Sequence, residues 1–144
     1  MGAIHALEHA LVGLAPLQVM CDLSDLNGAS HPNHPDLALP AVFVYDDNPG
    51  GAGFAGRCYA EVELLFRRAL ENISACPCLE GCPSCIHSPK CGSNNQPLDK
   101  AGAVWLLRRL LTAAPPGTED TLDPVLTAEG PGSRTASREA GTKS

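Results

Sequence analysis

Aromatic side chains are scarce in this 144-residue sequence, which contains only 4% Phe, Trp and Tyr. Its hydrophobic content of 44% still suffices for one modest core, so that core must consist mainly of leucine, valine and alanine. No segment approaches the roughly 18 consecutive apolar residues of a membrane span, and no basic N-terminal region leads into an apolar signal segment. The sequence therefore predicts a soluble, cytoplasmic protein without a membrane partner.

Basic side chains are absent from residues 1–56, which carry six acids and neither lysine nor arginine. The net charge of −6 conceals this asymmetry, because residues 57–112 carry seven basic and five acidic side chains. We expect any contact with nucleic-acid phosphates in this second half, with Arg57, Lys90 and Lys100 as the candidate DNA contacts. The simpler interpretation is that the basic residues only form solvated helix faces.

A Walker A motif and a dinucleotide-binding fingerprint are also absent. A glycine-rich turn nevertheless joins a predicted strand to a predicted helix at residues 46–53, an arrangement that can direct backbone N–H groups at an anion. Two interpretations stay open. Either the glycines only allow close packing, or the turn holds a nucleic-acid phosphate beside Arg57. The acids Asp46 and Asp47 disfavour the second interpretation unless their side chains point away or cap backbone donors.

Cysteine is abundant by contrast, and five of the seven cysteines lie between Cys76 and Cys91. Thiolates delivered from tight turns are the usual ligands of a tetrahedral zinc ion, and the Cys82-x-x-Cys85 pair has the spacing of such a turn. One cysteine is in excess. The predicted zinc ligands are therefore four of these five: Cys76, Cys78, Cys82, Cys85 and Cys91.

Other chemistries for the cysteine segment stay open at this point. A disulfide knot would suit a secreted protein, which nothing in the sequence indicates. His87 could replace one sulfur, and an iron–sulfur cluster could use the same four cysteines.

The fold class predicted is α/β, a small mixed domain of about three helices and a few strands with a cysteine-rich zinc knuckle. Apolar periodicity predicts helices over residues 3–15, 54–73 and 98–111, the last of them wide in its apolar face and therefore well buried or docked on a neighbour. A buried strand is expected at 41–45 and a weaker one at 17–23, unless the first helix continues through it. Residues 24–40 are predicted to be a polar loop.

The string His5-Ala-Leu-Glu8-His9 in the first helix has the form of an inverted zinc-protease motif. A peptidase would also need an acidic ligand on a second helix and a substrate cleft. Two histidines beside alanines are more often packed or capping groups, so we give this interpretation little weight.

Six short motifs, taken in order, resemble those of the MrfA-like zinc-binding domain. They are His5-Ala-Leu-Glu-His9, Tyr45-Asp46, Pro49-Gly-Gly51 with Gly53, Gly81-Cys-Pro-Ser-Cys85, Ser88-Pro-Lys-Cys-Gly92 and Pro97-Leu-Asp-Lys100. The resemblance covers residues 3–112, predicted to be the zinc-binding domain, and leaves residues 113–144 as a disordered tail.

The resemblance implies the C-terminal module of a DEAD/DEAH-box helicase that moves 3′ to 5′ along single-stranded DNA and acts in DNA repair. It implies a cysteine-bound zinc and a partnership with ATP-binding motor lobes. Because those lobes are absent, we expect either a fragment of such a helicase or a separate module that docks on a motor, with no catalytic residue and no small-molecule substrate in this chain. The alternative is a zinc-stabilised protein-interaction module without nucleic-acid contact.

Overall fold

A computed structural model describes residues 1–113 of the chain, and the tail predicted over 113–144 lies outside the described residues except for Ala113. The elements are α1 (Gly2–Val19), β1 (Leu26–His31), β2 (Ala41–Asp46), α2 (Phe54–Ala60), α3 (Val62–Ala75) and α4 (Lys100–Thr112). The mixed α/β class is therefore confirmed, with four helices and one two-stranded sheet in this range.

Helix α1 is the element on which the others pack. It contacts α2, α3, α4 and both strands. Its alanines allow close approach on several sides, since Ala6, Ala10 and Ala15 are at most 1% exposed. The core around it is aliphatic, as the scarcity of aromatic residues predicts, and its largest fully buried side chains are Leu26, Ile73, Ile86 and Leu107.

The boundary predicted for the first helix is wrong. The helix continues through Pro16 to Val19 and ends where Met20 adopts a left-handed conformation, with φ of 59°. A proline removes one helical N–H and disfavours the helical conformation of the residue before it, yet tertiary packing overrides this cost, because Pro16 and Val19 are both buried. The strand predicted at 17–23 is consequently absent.

The loop predicted over residues 24–40 contains a strand that periodicity did not reveal. Strand β1 pairs with β2 in antiparallel register, with Leu26 opposite Asp46 and His31 opposite Ala41. A Cβ atom at Gly28 would lie 2.7 Å from Val12 Cγ2 and 2.9 Å from Glu8 Cγ, so glycine at this position lets the strand approach α1. The strand predicted at 41–45 is confirmed, but its full burial is wrong, because Phe43 and Tyr45 are 37% and 42% exposed.

The long helix predicted over 54–73 is two helices, α2 and α3, interrupted at Glu61 with φ of −119° and ψ of 29°. Helix α4 begins two residues later than predicted, at Lys100, because Asp99 is its cap and its side chain accepts a hydrogen bond from the Gly102 N–H. The wide apolar face of α4 is only partly covered, because Ala103 and Leu107 are buried while Trp105 is 60% exposed.

Within residues 1–113, none of the helices combines the length and apolar character needed to cross a bilayer.

The packing of α4 generates a stability prediction. We expect Leu107→Ala, which empties a site that is 0% exposed, to lower the free energy of unfolding by about 2–5 kcal/mol. Leu110→Ala, on the same helix but 43% exposed, is the matched control and should cost clearly less. Urea unfolding followed by circular dichroism measures both, and equal losses would contradict the packing described.

Candidate metal centre

Four cysteine sulfurs converge between the end of α3 and the start of α4. Pairwise Sγ–Sγ distances are 3.5 Å for Cys76–Cys78, 3.4 Å for Cys76–Cys82, 3.5 Å for Cys78–Cys85 and 3.8 Å for Cys82–Cys85. A tetrahedral zinc ion with bonds of about 2.3 Å separates its sulfur ligands by about 3.8 Å. The four-cysteine cluster therefore fits a zinc ion if its sulfurs move apart by at most about 0.4 Å.

Local backbone geometry explains how ten residues deliver four sulfurs. Cys76 directly follows α3, and its N–H still donates to Asn72 O at 3.2 Å. The Cys82 carbonyl then accepts the N–H groups of Cys85, Ile86 and His87 at 3.0–3.1 Å, which closes a tight turn. This turn brings the sulfurs of Cys82 and Cys85 to within 3.8 Å of each other, as the spacing of the two residues predicts.

Gly81 makes the approach to that turn possible. Its φ is 125°, a conformation that residues with a Cβ rarely adopt. A Cβ at this position would also lie 2.6 Å from the Ile86 side chain, which is buried in the core. The cluster is thus fastened to the hydrophobic core through Ile86.

Lys100, the first residue of α4, is directed at the cluster. Its Nζ donates to Cys76 O at 2.7 Å, Cys78 O at 2.6 Å and Cys78 Sγ at 3.3 Å. A zinc ion with four thiolates carries a net charge of −2, so the ammonium group compensates part of that charge. The sequence motif Pro97-Leu-Asp-Lys100 contained this residue, but only the fold brings it to the sulfurs.

The thiols of the cluster differ in acidity. Desolvation raises the pKa of Cys78, but hydrogen bonds with Cys76, Cys85 and Lys100 outweigh it and lower that pKa to about 6. Burial raises the pKa of Cys85 to about 12, as expected for the one buried sulfur of the four. Cys78 is therefore the thiol most readily available as a thiolate for an incoming metal ion.

The excess cysteine is Cys91, which lies outside the four-cysteine cluster. Its sulfur is 3.5 Å from Nε2 of His5 in α1, a contact between residues 86 positions apart that spacing alone could not reveal. His87 is likewise not among the residues that converge on the cluster. Among the described cysteines, Cys21 and Cys58 also stand apart, packed in or against the core.

The three candidate DNA contacts lie in different settings. Lys90 Nζ donates to Leu23 O and Leu26 O at 2.8 and 2.9 Å. These bonds connect the loop that contains Lys90 and Cys91 to the start of β1. The three hydrogen bonds of Lys100 are those to the cluster. Arg57 is exposed in α2, and its side chain makes no hydrogen bond or ion pair with any other described residue.

The glycine-rich turn before α2 already binds a carboxylate of the protein, that of Asp46. The Asp46 carboxylate accepts the N–H of Phe54 at 2.8 Å and that of Ala55 at 3.4 Å. These donors are the ones that a phosphate at this turn would need. Asp46 therefore acts as the capping acid considered in the sequence, and the turn serves the packing of β2 and α2.

Comparison with known proteins gives concordant results. Residues 7–86 match the family described as the MrfA Zn-binding domain. An uncharacterised protein of Methanocaldococcus jannaschii is 37% identical over 114 residues, 76% of this chain and 100% of that protein. The ATP-dependent helicase YprA of Bacillus subtilis is 35% identical over 86 residues, which make up 60% of this chain but only 11% of the helicase.

Solved structures agree with the sequence relatives. The crystal structure of the DUF1998 helicase MrfA bound to DNA superposes with a TM-score of 0.64 and 29% identity, covering 76% of this chain and 14% of that one. MrfA bound to DNA and AMPPNP gives a TM-score of 0.60 with 30% identity over 72% of this chain and 13% of the helicase. The chain thus spans a small part of the helicases that it resembles.

The contact of Lys100 with the cluster leads to a prediction for metal affinity. Lys100→Met removes the ammonium group while keeping an unbranched side chain only one atom shorter, and we expect it to weaken zinc binding by about 10- to 100-fold. Competition with a chromophoric chelator measures the affinity. Lys90→Met is the control, because Lys90 contacts β1 rather than the cluster, and equal affinity in both variants would refute the role given to Lys100.

Proposed function

Because this chain belongs to the MrfA Zn-binding domain family, we propose that it is the zinc-binding accessory domain of an ATP-dependent DNA helicase. The observation that carries the proposal is the four-cysteine cluster, whose sulfurs lie at zinc-binding distances within the residues matched to the family. We assign the zinc ligands to Cys76, Cys78, Cys82 and Cys85, with residues 3–112 as the domain.

Zinc in this site acts through folding. The knuckle between α3 and α4 contains no helix or strand, so its conformation depends on the turn at Cys82, on Lys100 and on the metal. Structural zinc in small sites contributes on the order of 10 kcal/mol to local folding. The ion would therefore set the position of α4 relative to α3.

Removal of zinc tests this role. Treatment of the purified chain with a chelator should release one zinc from the cluster, lower the melting temperature and reduce the helical signal, since α4 loses its anchor at Lys100. Restoring zinc should reverse these changes. A chelator that strips the ion without altering circular dichroism or the melting transition would show that the metal is not structural.

The motor that such a domain serves would lie in the same polypeptide or in a separate one. ATP hydrolysis and 3′-to-5′ movement on DNA belong to motor lobes, for which this chain has no Walker A lysine. We propose that the domain and its motor act together in DNA repair in the cytoplasm.

A contribution to binding single-stranded DNA is proposed for the basic half of the domain. Of the three candidates, Arg57 is the best placed, because its guanidinium makes no hydrogen bond or ion pair within residues 1–113. Lys90 has two of its three N–H bonds engaged by carbonyls, and Lys100 has all three engaged at the cluster. A lysine that already donates to the protein has little left for a phosphate.

Salt dependence tests the DNA contact. The chain should bind labelled single-stranded DNA with an affinity that falls as salt rises, and Arg57→Ala should reduce the slope of log affinity against log salt by about 0.7. Fluorescence anisotropy at several salt concentrations measures both. Arg67→Ala is the control and should leave the slope unchanged, because Arg67 is paired with Glu63.

The alternative function, a protein-interaction module, is favoured by exposed apolar surface. Tyr59 and Leu110 are 79% and 43% exposed, and both line an apolar cavity of about 510 Å³ between α1, β2, α2, α3 and the end of α4. Contiguous apolar surface of this kind marks docking sites. Absence of DNA binding at every salt concentration, with salt-insensitive docking on a motor, would favour this alternative.

A further inference from the structure

A second group of metal-ligating side chains lies apart from the four-cysteine cluster. His5 and His9 are one turn apart on α1, and Cys91 approaches them from the loop before α4. One ligand atom from each residue lies within 4.8 Å of the other two. His5 Nε2 is 3.5 Å from Cys91 Sγ, close to the separation of about 3.6 Å expected for a nitrogen and a sulfur on one tetrahedral zinc ion.

Hydrogen bonds set the same tautomer in both imidazoles. His9 Nδ1 lies 2.7 Å from the Ile86 carbonyl, and His5 Nδ1 lies 2.9 Å from the Pro97 carbonyl. A carbonyl oxygen can only accept, so each neutral ring carries its proton on Nδ1 and keeps the lone pair on Nε2. A histidine that donates its other N–H to a backbone carbonyl is the usual support of a metal ligand.

The Cys91 sulfur is surrounded by donors. It accepts the N–H of Asn95 at 3.3 Å and lies 3.2 Å from the Ser93 hydroxyl. Hydrogen bonds of this kind favour the thiolate, which is the form that binds a metal. All three ligands therefore have partners that hold them in the form required for binding.

The three ligands line an open cavity of about 320 Å³ between α1, β1 and the loop before α4. Glu8 lines the same cavity but does not belong to the ligand group. Three protein ligands beside an open position are typical of zinc sites that bind an additional molecule, whereas four sulfurs form a closed site. The two clusters thus differ in ligand set and in access.

We propose that His5 Nε2, His9 Nε2 and Cys91 Sγ form a second zinc site, with its fourth position open to this cavity. The site explains why the segment around Cys91 contains one cysteine more than the structural zinc requires. It shares no ligand with the four-cysteine cluster and does not depend on DNA binding. Its third ligand is a thiolate from a loop, so it differs from the inverted protease motif, which needs an acid on a second helix.

Zinc stoichiometry of the full chain tests the proposal. After equilibration with zinc and removal of unbound metal, the chain should retain two equivalents, measured by elemental analysis. Cys91→Ala should retain one and should bind a second equivalent at least about 100-fold more weakly, since loss of a ligand exceeds the loss of a group that only orients one. Cys21→Ala, in a cysteine outside both clusters, is the matched control and should retain two.

Two further variants keep the outcome unambiguous. His5→Gln removes a half-buried ligand and should also retain one equivalent, with a circular dichroism spectrum like that of the unaltered chain. Cobalt titration should add tetrahedral absorption bands for the second equivalent in the unaltered chain, but not in Cys91→Ala or His5→Gln. One equivalent in the unaltered chain, lost in Cys82→Ala, would overturn the second site while leaving the four-cysteine site intact. A second equivalent that persists in both Cys91→Ala and His5→Gln would also overturn it.

Discussion

The convergence of four cysteine sulfurs at 3.4–3.8 Å is the constraint on which the second half of the domain depends. Thiols are weak hydrogen-bond donors and acceptors, so sulfurs at this spacing gain little from one another without a metal ion. Bound zinc would turn the same ten residues into a fixed link between α3 and α4. Lys100 extends that link, because its ammonium group joins the first residue of α4 to the carbonyls of Cys76 and Cys78.

Helix α1 plays the corresponding role for the hydrophobic core. Its small and aliphatic side chains are buried on several sides, which suits a chain that has few aromatic residues to fill space. The same helix connects the core to both metal-ligating groups. His9 Nδ1 donates to the carbonyl of Ile86, next to Cys85, while His5 Nε2 lies 3.5 Å from Cys91 Sγ. The helix is therefore a structural support and, at the proposed second zinc site, a source of ligands.

Charged groups in this domain are largely used to hold the fold. Asp46 caps the N-terminal donors of α2, Lys90 donates to two carbonyls near β1, and Lys100 donates to the cysteine cluster. A basic residue that the sequence suggests as a DNA contact can thus be held by hydrogen bonds within the domain instead. Arg57 differs from the two lysines in this respect, and an electrostatic surface for DNA has to be built from such exposed side chains rather than from the total charge.

The sequence by itself determined the presence of a four-cysteine zinc knuckle, the strand predicted over residues 41–45 and the last helix, predicted over 98–111, because each depends on residues that are neighbours along the chain. Local spacing also identified Cys82 and Cys85 as partners in one turn. Only the tertiary structure decided that Cys91 is the excess cysteine, since its contact with His5 joins residues 86 positions apart. Strand β1 was missed for a related reason. Its polar Asn27-Gly28 segment lacks an apolar pattern, and it is a strand because β2 pairs with it and α1 leaves room only for a glycine. Long-range packing also carried α1 through Pro16, because burial of Pro16 and Val19 outweighs the local preference of a single residue.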